Sequence, residues 1–138
     1  MMGEVRSETK LTNAIDEALA RRGQLAPDQV RSYRADALID TGSVRTVLPI
    51  YVVQQLGLAI VGQQVAEYAD GRKDAFGVTE PVDININGRS TVEDALVLGD
   101  EVIIGQTVLE KLDLLVDCAN QRVIPNPAHP DQPVSKVK

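Results

Sequence analysis

Asp40-Thr41-Gly42-Ser43 is the place in the 138 residues where chemistry concentrates. Leu38 and Ile39 precede the acid, so an apolar run stops abruptly at a carboxylate, two hydroxyls and a glycine. A carboxylate on a tight turn after a buried strand is held rigidly and faces out of the core. Such a group can take a proton from water or return one to a substrate oxygen. The same tripeptide also serves as a plain strand-ending turn, in which Asp accepts backbone N–H bonds, Thr packs and Gly takes positive φ. The residues alone leave both uses open. The motif occurs once: Asp117 also follows an apolar run, but Cys118-Ala119 stand where the hydroxyl and glycine would be, and Asp83 lies inside an alternating strand.

The elements that must position Asp40 follow from periodicity. Residues 30–39 alternate as a strand, with Tyr33, Ala35, Ala37 and Ile39 on one side and Arg34, Asp36 and Leu38 on the other. A weaker alternation marks a strand at 5–11, and 13–22 has helical spacing with Asn13 as its cap. After the motif come a short strand at 46–48 and a helix at 50–56. Pro49 and Gly57 bound that helix, and Ile50, Val53 and Leu56 form its apolar face. Asp70-Gly71 and Asn87-Gly88 predict hairpins joining 61–68 to 73–78 and 82–86 to 91–98. Val102-Ile103-Ile104 ends at Gly105, a short helix carries Val108, Leu109 and Leu112, and 114–116 pairs with 122–124. The chain is therefore expected to be all-β, a small barrel with one or two short helices. It divides into an N-terminal strand and helical segment (1–29), a central domain (30–124) and a proline-rich, flexible tail (125–138).

Composition removes other chemistries. Aromatics are 3% of the chain, so the core must be aliphatic. The net charge of −6, with no Lys/Arg-rich run, disfavours nucleic acid and anionic membrane surfaces as partners. No apolar run is long enough to span a bilayer, and the first residues lack the apolar stretch of a signal peptide. One Cys and one His cannot build a zinc site of the usual spacing. His129 lies in the proline-rich tail, a poor setting for a Ser-His-Asp triad. Cys118 has no intrachain disulfide partner, which fits a reducing, cytoplasmic setting.

Three features frame the motif: the apolar residues before Asp40; Ser43 after Gly42, expected to offer its hydroxyl to a neighbouring carboxylate; and the apolar-apolar-Gly element Ile103-Ile104-Gly105 downstream, with a glycine-tipped hairpin between. That ordered set, over roughly 30–124, resembles the retropepsin-like aspartic peptidases. Leu48-Pro49, Leu56-Gly57-Leu58 and Asp70-Gly71-Arg72 look more like small prokaryotic members than viral ones. The resemblance implies a single-lobe acid-protease barrel working as a homodimer on peptide or unfolded protein, with no cofactor and no metal. It implies that Asp40 is catalytic, that Thr41 interlocks the two site loops, and that Gly42 lets the backbone approach. Ile103, Ile104 and Gly105 would pack behind the loop. Tyr68, Ala69, Asp70 and Gly71 would form the flap, and with Val47, Val102 and Ile103 the substrate walls. Two departures stand out: Ser43 where viral members have Ala, and a charged hairpin tip.

Peptide hydrolysis by carboxylates needs an acid and a base together. Two carboxyls a few Å apart cannot both ionise readily and so share a proton, as in aspartic-protease dyads. This chain has one Asp in that setting, so the second is expected from another copy across a two-fold axis. A runner-up expectation keeps the fold and dimer but makes it a weak or inactive module that binds peptides or serves as a scaffold.

Overall fold

Val5–Asn13 (β1) and Ser32–Ile39 (β2) pair antiparallel along eight residues, from Val5 opposite Ile39 to Thr12 opposite Ser32. A computed structural model describes residues 3–137 of the chain; positions 1, 2 and 138, at the outer ends of the expected N-terminal segment and tail, lie outside the described residues. Alternation sets the faces of β2: Ala35, Ala37 and Ile39 are buried while Arg34 and Asp36 are exposed. The other side of β1 pairs with Val82–Ile86 (β6), placing Leu11 opposite Ile84. The N-terminal strand is thus the immediate neighbour of the strand that leads to Asp40.

Eleven strands and three α-helices make up the described residues. The remaining strands of the large sheet are Val47–Leu48 (β3), Ile60–Glu67 (β4), Lys73–Thr79 (β5), Arg89–Glu93 (β7), Leu96–Val97 (β8) and Ile103–Ile104 (β9). Its order is β4-β5-β8-β3-β9-β2-β1-β6-β7. The sheet closes over an aliphatic core in which Leu11, Leu48, Leu56, Ile84, Ile86, Ile104 and Leu112 are completely buried. Leu114–Asp117 (β10) and Arg122–Pro125 (β11) form a separate hairpin. The Asn87-Gly88 turn joins β6 to β7 with φ of 53° and 78°, the double left-handed geometry that a two-residue hairpin requires.

The helices are Ala14–Arg21 (α1), Ile50–Leu56 (α2) and Gln106–Leu112 (α3), each where the sequence has helical spacing. In α2 the buried residues are Val52, Val53 and Leu56. Ile50, expected on that face, is 48% exposed at the first position of the helix, directly after Pro49, where the chain has not yet settled onto the buried face of Val52, Val53 and Leu56. The expected return strand at 91–98 is also divided. At Asp94-Ala95 the chain leaves β6, Ala95 N–H bonds to the Thr79 hydroxyl, and β8 joins β3 in parallel and β5 antiparallel.

Buried polar residues fasten these pieces. Asn13 caps α1 by accepting from Asp16 N–H at 3.0 Å and donates its own amide to the Leu56 carbonyl at 2.8 Å. Asp16 is 5% exposed and accepts from Arg31 Nε at 2.8 Å, Nη2 at 3.0 Å and the backbone N–H at 3.1 Å. The Arg31 guanidinium and amide hold the Asp16 carboxyl below its ordinary value of 3.8. Asp16 therefore binds its proton more weakly in the folded chain than in the unfolded one. The stabilisation is present above pH 3.8 and is lost as pH falls through the lower folded value. Asp16→Asn should cost about 1–2 kcal/mol at neutral pH, the modest size reflecting a half-exposed Arg31, and should flatten the acid limb of a denaturant-monitored pH-stability curve.

The proline-rich segment expected to be flexible is anchored to the body. Asp113, with φ of 54°, follows α3. Its carboxylate accepts from Asn126 Nδ2, Val134 N–H and His129 Nδ1, the last at 2.6 Å. Arg89, 8% exposed, donates to the carbonyls of Leu112, Asp113 and His129. Composition marks the segment as polar and aperiodic, but gives no sign that Asp113 and Arg89 wait for it.

Candidate active site

Strand β2 ends at Ile39, and the chain turns at Asp40. The Asp40 amide donates to the Ile104 carbonyl at 3.0 Å, continuing the parallel pairing in which Leu38 and Ile39 face Ile103 and Ile104. The Leu38 amide donates to the Val102 carbonyl at 2.9 Å. The apolar run before the acid is therefore stitched to the second apolar run at every second residue, up to the amide of Asp40 itself.

Two bonds close the turn. Ser43 N–H donates to the Asp40 carbonyl at 3.0 Å, and Gly42 N–H donates to Asp40 Oδ1 at 3.0 Å. A side chain on Gly42 would begin 3.2 Å from that same Oδ1. Among the described residues no hydrogen bond reaches Oδ2, and Asp40, Thr41 and Gly42 are exposed. One carboxylate oxygen is thus fixed by the backbone and the other is open.

The turn is supported from behind by Gly105. A Cβ there would lie 2.5 Å from the Ser43 carbonyl oxygen and 3.0 Å from that of Arg45. Its φ of −97° makes no demand for glycine, so the requirement is close approach alone. Gln106 N–H, at the start of α3, donates to the Ser43 carbonyl at 2.7 Å. Ser43 is half-buried, and its hydroxyl donates to the Arg45 carbonyl at 3.0 Å rather than to Asp40.

The structure thus brings Asp40, Thr41, Gly42 and Ser43 together with Ile103, Ile104 and Gly105. Val102 and Val47 are buried core residues, while Ile103 is half-buried. Tyr68, Ala69, Asp70 and Gly71 form a self-contained tip between β4 and β5. Tyr68 N–H donates to the Arg72 carbonyl at 2.7 Å, and Arg72 Nε donates to Asp70 Oδ2 at 2.7 Å. The Arg72 guanidinium lies 4.9 Å above the Tyr68 ring, whose edge meets Phe76. Among the described residues no hydrogen bond joins this tip to the turn at 40–43.

Asp40 and Thr41 line a cavity of about 290 Å3 whose wall also includes Gly3, Glu4, Val5, Val116 and Cys118. Sequence reasoning missed this wall. Alternation marks 5–11 as a strand, but only the pairing of Val5 with Ile39 places it beside the motif. A larger groove of about 590 Å3, lined by Lys10, Glu17, Arg21 and Asp28, includes no residue of the turn.

No protein-family profile and no curated protein matches the chain. Solved structures do. The retroviral protease-like domain of Ddi1 from Leishmania major superposes with a TM-score of 0.56, covering 92% of this chain and 91% of that one at 13% identity. The fold is retropepsin-like. The EIAV protease, in complex with the inhibitor HBY-793, aligns with a TM-score of 0.47 over 80% of this chain and 86% of that one, at 19% identity. Within a retropepsin-like fold the strand-turn of Asp40 and the element Ile103-Ile104-Gly105 form one hydrogen-bonded unit. No helix of the described residues is long and apolar enough to cross a membrane.

Proposed function

We propose that this chain is an aspartic endopeptidase whose site is assembled from Asp40 of two copies. The observation that carries the reading is the geometry of Asp40: one oxygen held by Gly42 N–H, the other open, on an exposed turn whose backbone is locked to Ile104 and Gly105. A fixed carboxylate suits acid–base work because its orientation costs nothing at the moment of reaction.

Two such carboxyls related by a two-fold axis share one proton. The ionised one removes a proton from water as the water oxygen attacks the peptide carbonyl carbon. The protonated one donates to the carbonyl oxygen, giving a tetrahedral intermediate. The apparent pKa values belong to the pair. Thr41, exposed beside Asp40, would contact its counterpart across the axis. An extended peptide would lie under the β4–β5 hairpins, with Tyr68, Ala69, Asp70 and Gly71 above it and Ile103 near its side chains.

The charged, internally bonded hairpin tip favours a second reading, a dimeric peptide-binding module without turnover. Digestion of an unfolded protein by the chain and by Asp40→Asn, from acidic to neutral pH, separates the two. Product from the natural chain alone supports the endopeptidase. Equal product from both removes Asp40 from the reaction. No product from either, with peptide still bound, supports the module.

A further inference from the structure

Arg45 stands where two parts of the site meet. Its carbonyl accepts the Ser43 hydroxyl and abuts Gly105, so its backbone belongs to the turn that carries Asp40. Its guanidinium reaches away from that turn. Nη1 donates to Gln64 Oε1 in the middle of β4, and Nη2 pairs with Asp94 Oδ1 at 2.8 Å, at the break between β7 and β8. The side chain is 29% exposed, sheltered by both partners.

The hairpin needs such a hold. Strand β4 is one of the sheet's two outermost strands, pairs among the described residues only with β5, and is exposed along almost its whole length. Strand β5 joins the rest of the sheet through two residue pairs, Gly77 with Val97 and Val78 with Leu96, both at the base of the hairpin. Gln64, opposite Phe76, lies beyond that base towards the tip. A long two-stranded arm fastened at one end swings unless something grips it further out.

We propose that Arg45 is a positioning residue that tethers the β4–β5 hairpin to the Asp40 turn and sets its height over the site, with Asp94 holding the guanidinium in aim. A planar fork that grips two acceptors at once suits Arg and not Lys, whose single ammonium on a flexible stem satisfies one at a time. The role in peptide binding rests on the endopeptidase reading; the tether itself does not.

The test is amide hydrogen exchange across residues 60–79, read beside steady-state cleavage of a peptide. Arg45→Ala and, independently, Gln64→Leu should each speed exchange in the outer hairpin about tenfold and leave β1, β2 and β6 unchanged. Gln64→Leu leaves the Arg45–Asp94 pair in place, so it decides the matter even where Arg45→Ala folds poorly. Arg45→Lys should fall between Arg45→Ala and the natural chain. In cleavage, KM should rise about tenfold with kcat changed far less, since substrate is held by the hairpin while the chemistry stays with Asp40. Unchanged hairpin exchange in Gln64→Leu overturns the tether. Faster exchange with kcat lowered and KM unchanged overturns the part assigned to substrate holding. Faster exchange in a chain that cleaves nothing supports the tether and removes the endopeptidase reading.

Discussion

Asp40→Asn should lower peptide cleavage by about a thousandfold, since positioned acid–base groups contribute roughly 10²–10⁴ and the substitution removes both at once. The loss should leave the fold intact. Asn has nearly the shape of Asp, and its amide oxygen can still accept the Gly42 N–H that Asp40 Oδ1 accepts at 3.0 Å. In the single chain Asp40 is exposed and, among the described residues, no ion pair holds it, so its replacement should shift the chain's own folding stability by no more than about 0.5 kcal/mol. Thermal melting of both proteins, beside cleavage of the same unfolded substrate, checks the two halves together. A rate loss accompanied by a large fall in melting temperature would mean that the turn, not the proton transfer, had been damaged.

Gly105→Ala should do the opposite, damaging the turn while leaving every acid in place. The new methyl would meet two backbone oxygens, at 2.5 Å from Ser43 and 3.0 Å from Arg45, and neither can rotate aside as a side chain would. The turn must shift to make room. Overpacking of this kind costs about 1–3 kcal/mol. Displacing a catalytic group by about 1 Å can cost about a hundredfold in rate, so cleavage should fall at least tenfold even in the fraction that remains folded. Gly62→Ala is the control: no atom lies within 4 Å of the added methyl and its φ is not positive. Chemical denaturation and cleavage of the two variants side by side separate the steric effect at Gly105 from a general intolerance of alanine.

The central features of the site were legible because they are local. An apolar run ending in Asp-Thr-Gly predicts a strand and turn, and Ile103-Ile104-Gly105 predicts a second run ending at a small residue. Hairpins at Asp70-Gly71 and Asn87-Gly88 were legible because their turns need positive φ, which Gly71, Asn87 and Gly88 supply. Long-range pairing was not. Nothing in 5–13 says that it lies between β2 and β6, or that Val5 meets Ile39 one residue before the acid. The 91–98 run was expected to be one strand because alternation cannot sense the Arg45 and Thr79 side chains that hold Asp94 and Ala95. Arg45 itself gave no signal, since an exposed-looking Arg after a turn is ordinary until its partners on β4 and at Asp94 are seen. Ile50 was assigned to the core by spacing alone, although the first residue of a short helix need not follow the face of the rest.

The claim on which all of this converges is that one site needs Asp40 from two copies. The direct measurement is to unfold the natural chain with a ninefold excess of Asp40→Asn, refold them together, and assay cleavage per natural subunit. Random pairing leaves about a tenth of the natural subunits facing another natural subunit, so specific activity should fall to about one-tenth of its value when refolded alone. Specific activity unchanged by the excess would show that each copy works by itself, and would contradict the shared site.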